Sequence, residues 1–142
     1  MNILKWSLIT LTSLQLVGCG SAMYAVKTNS TANSCPTHVL RESFVLVYSM
    51  NIEVDGQTYA KLSDYTYAKF YVEPGKHTIK AAWPFLSGGV DLEVPYECNN
   101  AQAGYILFSG TVSGNKRYIN ARRLPEKEAL ARLGSFKMAG AN

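Results

Sequence analysis

The sequence has few of the side chains that acid–base or metal chemistry needs. Among its 142 residues are two histidines, His38 and His77, three cysteines and three aspartates. General acid–base catalysis draws mostly on histidine and carboxylates. The Cys and His residues form no paired zinc-binding motif, and a G-x-S-x-G nucleophile motif is missing. The sequence therefore predicts a protein that is not an enzyme and uses neither a metal nor a cofactor.

An excess of charge of one sign is also lacking. The formal net charge is +4, and removing residues 1–18, whose single charged side chain is Lys5, leaves +3. A value this small does not call for a nucleic-acid partner. At 142 residues, 47% of them hydrophobic, the chain has the size and composition of one globular domain.

The N-terminal segment combines low charge with a short apolar run. Residues 1–18 contain no acid, and residues 6–17 are uncharged but diluted by polar side chains. As a helix this run spans only about 18 Å, whereas the hydrocarbon core of a bilayer is about 30 Å thick. A signal peptide is therefore the favoured interpretation.

The apolar run ends in Leu16-Val17-Gly18-Cys19, which resembles the lipobox of bacterial lipoproteins. In that motif Leu16, Val17 and Gly18 are recognised by the signal peptidase, and the cysteine thiol receives diacylglycerol. The resemblance predicts a signal peptide over residues 1–18 and a lipid anchor on Cys19, with acyl chains enough for stable attachment. Two alternatives remain at this point: an ordinary signal peptide with a coincidental cysteine, or a membrane anchor that continues to Val26.

The residues after the cysteine predict a location and a linker. Gly20 stands where an aspartate would resemble an inner-membrane retention signal, so we expect the outer membrane, with membrane lipid as the partner held through acylated Cys19. Residues 19–34 are mostly small and polar, which is typical of a flexible tether. Such a linker has an end-to-end distance of about 20 Å, which keeps the domain close to the membrane surface.

Lipidation of Cys19 leaves Cys35 and Cys98 as a pair. An exported compartment permits their oxidation, so a disulfide between them is predicted. Two free thiols are the alternative.

From Phe44 onward, apolar and polar residues alternate with a period of two, which is typical of half-buried strands. Asp55-Gly56 and Pro74-Gly75 supply the residues that tight turns need. Pro95 on the polar side of its strand indicates a sheet edge. The predicted strands cover residues 44–50, 52–54, 58–62, 65–73, 77–83, 90–98, 105–113 and 117–122.

A short helix is predicted after the last strand. Pro125 stands near its first position, Glu126 and Glu128 lie in its first turn, and Gly134 ends it. Its apolar side consists of Ala129, Leu130 and Leu133. Together these elements predict an all-β fold over residues 35–142: an antiparallel β-sandwich of about seven or eight strands with a short C-terminal helix.

The sequence pattern of this region resembles that of the bacterial lipoprotein family called domain of unknown function 2846. The shared features are the hairpin at Asp55-Gly56, the P-G-x-H-x-I turn and strand that starts at Pro74, and the ending Phe136-Lys137-Met138. The likeness extends over residues 44–138, and P-G-x-H-x-I also occurs in exported β-sandwich domains named for a P-E-G-A motif. The resemblance implies a β-sandwich in the cell envelope and brings no catalytic residues.

The residues of these turns are interpreted as structural. Asp55 and Gly56 form a hairpin, and Pro74 and Gly75 form a turn that His77 follows. An imidazole at that place can hydrogen-bond the turn backbone, and Asp55 is better explained as a hairpin residue than as a general acid.

Three tyrosines alternate along one predicted strand. Tyr65, Tyr67 and Tyr71 share a side with Lys69 and Glu73, which indicates a wet face. Flat rings with a polar rim can bind a glycan or a protein partner. Ordinary packing between strands, or burial beneath the helix, is the alternative.

Basic residues cluster near the C-terminus, at Lys116-Arg117, Arg122-Arg123, Lys127 and Arg132. They suit either anionic lipid headgroups or a solvated hairpin that resists edge-to-edge pairing. The function expected from the sequence is a non-enzymatic, lipid-anchored structural or interaction module of the cell envelope, with an envelope protein as partner. Binding of a glycan or peptidoglycan at the tyrosine face is the second expectation.

Overall fold

The computed structural model describes residues 23–43, 48–84, 90–114 and 116–141. Within these ranges the chain forms two packed β-sheets and one helix. The predicted signal peptide, the lipobox-like residues and Cys19 lie outside the described residues. The elements are β1 (Tyr24–Ala25), β2 (Cys35–Arg41), β3 (Met50–Val54), β4 (Gln57–Leu62), β5 (Thr66–Val72), β6 (Gly75–Ala82), β7 (Leu92–Cys98), β8 (Gly104–Ser113), β9 (Lys116–Arg123), α1 (Glu126–Leu133), β10 (Lys137–Met138) and β11 (Gly140–Ala141).

The two sheets confirm the predicted all-β sandwich with a C-terminal helix. The first sheet has the strand order β11-β1-β4-β3-β6-β7 and the second β10-β5-β2-β8-β9. Among the described residues, the strands β2 to β9 are the ones with five residues or more, and most neighbours are antiparallel. Parallel pairing occurs between β1 and β11, between β5 and β10, and between β2 and β8. Because β7 ends the first sheet, Pro95 lies on an edge strand as predicted.

Strand alternation places one side of each sheet in the core. The first sheet contributes Ile52, Leu62 and Ile79, and the second contributes Phe70 and Phe108; each is at most 1% exposed. Burial of such side chains stabilises the fold by about 1.5–3 kcal/mol each. The period-two pattern read from the sequence is thus the pattern of this core.

Strand β2 lies in the middle of the second sheet, between β5 and β8, although its sequence does not alternate cleanly. Its core-facing side includes the polar residues Thr37 and Arg41, which are 0% and 1% exposed. The strand predicted over residues 44–50 can be compared with the structure only in part. Residues 44–47 lie outside the described part, and β3 begins at Met50. A strand such as β2, whose buried face carries polar side chains, is not detected by hydrophobic alternation in the sequence.

The stretch from Met23 packs against the sandwich, which differs from the predicted flexible tether. Ala25 in β1 is only 5% exposed and belongs to the core. The backbone N–H of Val26 donates to the carbonyl of Tyr59 at 2.7 Å, and the hydroxyl of Thr28 accepts the backbone N–H of Tyr71 at 2.6 Å. Residues 24–28 are therefore part of the domain, because β4 and β5 satisfy their backbone and side-chain polar groups.

The predicted disulfide is present. Cys35 is the first residue of β2 and Cys98 the last of β7, and their Cα atoms lie 5.7 Å apart. Because β2 and β7 belong to different sheets, the bond fastens one sheet to the other.

A buried hydrogen bond joins the same two strands. The hydroxyl of Thr37 donates to the carbonyl of Cys35, so the hydroxyl of Tyr96, 2.9 Å from Thr37 Oγ1, is the donor to Thr37. Tyr96 reaches this position across Gly104, where a Cβ atom would stand 2.4 Å from the tyrosine oxygen. The absence of a side chain at residue 104 is what lets the two sheets approach here.

Candidate functional site

Asp55 and His77 form a hydrogen-bonded pair beside the β3–β4 hairpin. Asp55 and Gly56 have φ values of 50° and 83°, which the two-residue turn requires. Asp55 Oδ1 accepts the backbone N–H of Thr78 at 2.8 Å, and Oδ2 lies 2.7 Å from His77 Nδ1. Nε2 of His77 lies 2.8 Å from the carbonyl oxygen of Glu73.

Both ring nitrogens of His77 thus lie within hydrogen-bond distance of an oxygen, Nδ1 of the Asp55 carboxylate and Nε2 of the Glu73 carbonyl. The side chain ties the hairpin to the connection through Pro74 and Gly75, where the chain crosses from the second sheet to the first with Gly75 at φ 127°. Asp55 and His77 are thus occupied by backbone partners and by each other, which is a structural role.

The pair predicts an acid-dependent contribution to stability. Hydrogen bonds from His77 and from the Thr78 backbone lower the pKa of Asp55 below its usual value of 3.8. A carboxyl with a lower pKa in the folded state contributes stability at pH values above 3.8, and that contribution is lost as the pH falls through the folded pKa. We expect Asp55→Asn, which tolerates the same φ, to lower the free energy of unfolding at pH 7 by about 1 kcal/mol.

Urea denaturation of the wild type and of Asp55→Asn between pH 2 and 7 measures this contribution. The two free energies of unfolding should converge as the pH falls below the Asp55 pKa. A difference that stays constant over the whole range would show that the ionised carboxylate is not responsible.

The three tyrosines predicted to share a face do not form one open surface. Tyr65 precedes β5, has a φ of 52°, is 54% exposed and has its ring 5.9 Å from Phe136. Tyr67 and Tyr71 do share the outer side of β5, where Lys69 Nζ lies 5.9 Å from the ring centre of Tyr71. Tyr67 is half-buried, so no continuous aromatic platform results.

Helix α1 packs on the outer side of the second sheet, where its residue Ala129 joins a smaller apolar cluster. Tyr67, Leu133 and Phe136 pack at its margin. Within the helix Ala129 is buried, whereas Leu130 is 56% exposed and does not join the apolar side as predicted. The fully enclosed members of the cluster are Leu40, Tyr105, Leu107, Leu124 and Ala129.

His38 belongs to the same outer surface. Its ring stacks on Tyr105, with centroids 4.8 Å apart and an interplanar angle of 15°. Burial and then the charge of Lys69 lower the pKa of His38, while a hydrogen bond with the Gly104 backbone opposes them. The lowered pKa favours the neutral ring, which serves as a stacking partner in a layer of aromatic residues.

The basic side chains near the C-terminus are largely engaged within the domain. Arg122 forms a two-pronged contact with Glu128 at 2.7 and 3.1 Å. Arg132 reaches Glu128 and Glu42. Arg123 donates to the carbonyl of Pro95. Three of the basic residues that could face either anionic lipid or solvent, Arg122, Arg123 and Arg132, are thus engaged within the domain.

Arg41 is a buried charge that the sequence pattern does not reveal. Its guanidinium donates to the carbonyl of Leu62 at 2.7 Å and to Asp64 at 2.8 Å, and it lies 5.1 Å from the ring centre of Trp83. Burial lowers the pKa of Arg41, and Asp64 opposes that change. The contacts with β4 and with the end of β6 compensate the charge, which is a packing role at the end of the sandwich.

One cavity opens between β7 and the start of β8. Its volume is about 200 Å³, and Tyr96, Asn99, Gln102, Tyr105 and Arg123 line it. Ligand pockets usually have volumes of about 300–1,000 Å³. The cavity is smaller than that range, and Arg123 is already bound to Pro95, so it carries no ligand assignment.

The described ranges contain neither a metal-binding cluster nor a membrane-spanning helix. No group of three or more His, Cys, Asp or Glu side chains is placed to hold a metal ion there, and the helix found in that part of the chain falls short of the length and hydrophobicity of a membrane span. Comparisons with protein-family models, with curated proteins and with solved structures found no match to the chain. The resemblance to the domain of unknown function 2846 family therefore stays a prediction.

Proposed function

We propose that the protein is a non-enzymatic lipoprotein of the bacterial cell envelope. Acylated Cys19 holds it at the outer membrane, and the sandwich is a structural or protein-interaction module. The observation that carries the proposal is the pairing of the cysteines: Cys35 and Cys98 bond to each other, which leaves the lipobox-like Cys19 as the only other thiol in the chain. A disulfide favours an exported compartment, the same destination that the N-terminal segment predicts.

The state of the histidines supports a non-enzymatic role. Both ring nitrogens of His77 are engaged within the domain, Nδ1 with Asp55 and Nε2 with the Glu73 carbonyl. His38 is stacked in the aromatic layer on the second sheet. Neither imidazole lines the two cavities that the described residues form between β7 and β8 and beside β1.

Glycan binding at Tyr65, Tyr67 and Tyr71 is not put forward. Tyr65 lies just before β5 and has a left-handed backbone conformation, and Tyr67 packs at the margin of the smaller apolar cluster that includes Ala129. Stacking on a sugar ring needs an accessible ring face. Tyr65 is 54% exposed, whereas Tyr67 and Tyr71 are partly buried, so the three rings form no continuous accessible platform.

Metabolic labelling with an alkyne fatty acid, followed by mass analysis of the N-terminal peptide, tests the anchor. The mature protein should begin at Cys19 and carry acyl chains. Cys19→Ala should lose the label completely, whereas Cys98→Ala, the matched control, should keep it. A labelled Cys19→Ala variant, or a mature chain that begins after residue 18 without lipid, would contradict the proposal.

A further inference from the structure

The docking of β1 brings the domain unusually close to the proposed anchor. Only four residue steps separate Cys19 from Met23, the first described residue. A fully extended chain spans at most about 3.6 Å per residue, so this connection is no longer than about 14 Å. Because Tyr24 and Ala25 pair with both β4 and β11, the edge of the sandwich at β1 has to remain near the membrane that holds Cys19.

The surface next to β1 combines exposed apolar and cationic side chains. Val26 is 38% exposed and Met138 is 57% exposed, two of the exposed large hydrophobic side chains in the described residues. They border a shallow groove of about 240 Å³ together with Lys27, Lys69 and Tyr71. Apolar side chains surrounded by lysines are typical of surfaces that bind the headgroup region of an anionic bilayer.

We propose that this surface, formed by Val26, Lys27, Lys69 and Met138, is the face of the sandwich that rests on anionic phospholipid headgroups. The inference rests on the proposed lipid anchor and adds the orientation of the domain to it. Val26 and Met138 enter the boundary between headgroups and acyl chains, and Lys27 and Lys69 bind lipid phosphates. The lipid anchor and this surface then act together, so the domain lies on the membrane instead of moving freely above it.

The distribution of charge over the sandwich supports this orientation. In the first sheet, β1 stands near one end of the strand order and β7 at the other. Strand β7 carries the exposed carboxylates of Glu93 and Glu97, which an anionic surface repels. In the second sheet, β9, whose Arg122 and Arg123 are engaged by Glu128 and Pro95, lies at the end opposite β10, where Met138 is found. The edge nearest the anchor is therefore the one whose lysines suit anionic lipid.

Site-specific labelling of the full acylated chain tests the orientation. With Cys19 acylated and Cys35 bonded to Cys98, a cysteine introduced by Met138→Cys or Glu97→Cys is the only free thiol. Each variant is labelled with a fluorophore and reconstituted in phosphatidylethanolamine–phosphatidylglycerol vesicles that contain a headgroup-attached quencher. The label at residue 138 should lose most of its fluorescence, and the label at residue 97 should lose little.

Charge reversal then separates lipid contact from simple tethering. Lys27→Glu combined with Lys69→Glu should remove most of the quenching at residue 138. Lys76→Glu combined with Lys127→Glu makes the same change in charge elsewhere and should leave it intact. Equal quenching at residues 138 and 97, or quenching at 138 that survives the first double variant, would overturn the inference. Mass analysis of the reconstituted protein keeps that result distinct from a failure of acylation, because it reports the lipid on Cys19 directly.

Discussion

Loss of the Cys35–Cys98 bond should lower the free energy of unfolding by about 2–5 kcal/mol. The two cysteines are 63 positions apart, and constraining a loop of that length in the unfolded chain is worth roughly 4 kcal/mol in the entropy model. Both side chains are 1% exposed, and the bond joins β2 of the second sheet to β7 of the first. Its removal therefore frees the unfolded chain and also loosens one sheet from the other.

Chemical denaturation of the wild type with and without a reductant measures the effect, because all side chains other than the two cysteines stay the same. The double variant Cys35→Ala with Cys98→Ala is the control. Its unfolding midpoint should be low and should not respond to the reductant. Equal midpoints for oxidised and reduced wild-type protein would show that the bond does not stabilise the domain.

Gly104→Ala should lower the free energy of unfolding by about 1–3 kcal/mol. The new methyl group would stand 2.4 Å from the hydroxyl oxygen of Tyr96 and 2.6 and 2.9 Å from two ring carbons. Tyr96 cannot withdraw easily, because it is 6% exposed and its hydroxyl donates to the buried Thr37. Relief of the clash requires either a shift of β7 away from β8 or loss of this hydrogen bond.

Gly134→Ala is the matched control for this prediction. At Gly134 nothing lies within 4 Å of the added Cβ, and its φ of −61° suits alanine. The control should therefore be neutral or stabilising by up to about 1 kcal/mol. Thermal or urea unfolding of both variants distinguishes the two sites, and equal stability of Gly104→Ala and the wild type would refute the steric argument.

The strands from β3 to β9 could be predicted because each carries its information locally. Alternation placed Ile79 and Phe70 toward a core, and Asp55-Gly56 marked a turn that the positive φ values bear out. Pro95 indicated an edge because proline lacks the donor that a central strand needs. The disulfide followed from arithmetic on three cysteines.

Strand β2 and the docked segment at β1 could not be predicted in the same way. Thr37 and Arg41 are polar, yet they face the interior because Tyr96, Leu62 and Asp64 satisfy them. The segment near Ala25 has no periodicity, and its order comes from partners far along the chain in β4 and β11. Hydrogen-bond partners distant in sequence leave no local pattern.

The exposure and pairing of side chains outside the core differ most from the sequence-based expectation, again because they depend on elements distant in the chain. Alternation alone placed Tyr67 on the wet side of a strand, but it packs against an apolar cluster that includes Ala129 of α1. The arginines at positions 122 and 132 belong to a cluster of basic residues in the sequence, but Glu128 and Glu42 pair with them. A sequence pattern gives the side of a strand on which a residue lies and cannot tell whether another element covers that side.

By itself, the sequence predicts a lipid anchor at Cys19 and determines the all-β class, the turns and the pair of cysteines. Each of these depends on residue types at short spacing or on counting. Only the tertiary structure decided which tyrosines are covered, which arginines are paired, and that residues 24–28 belong to the sandwich. These outcomes depend on packing between elements that are distant in the chain. The short connection between Cys19 and β1, and with it the proposed face toward the membrane, follows from that packing.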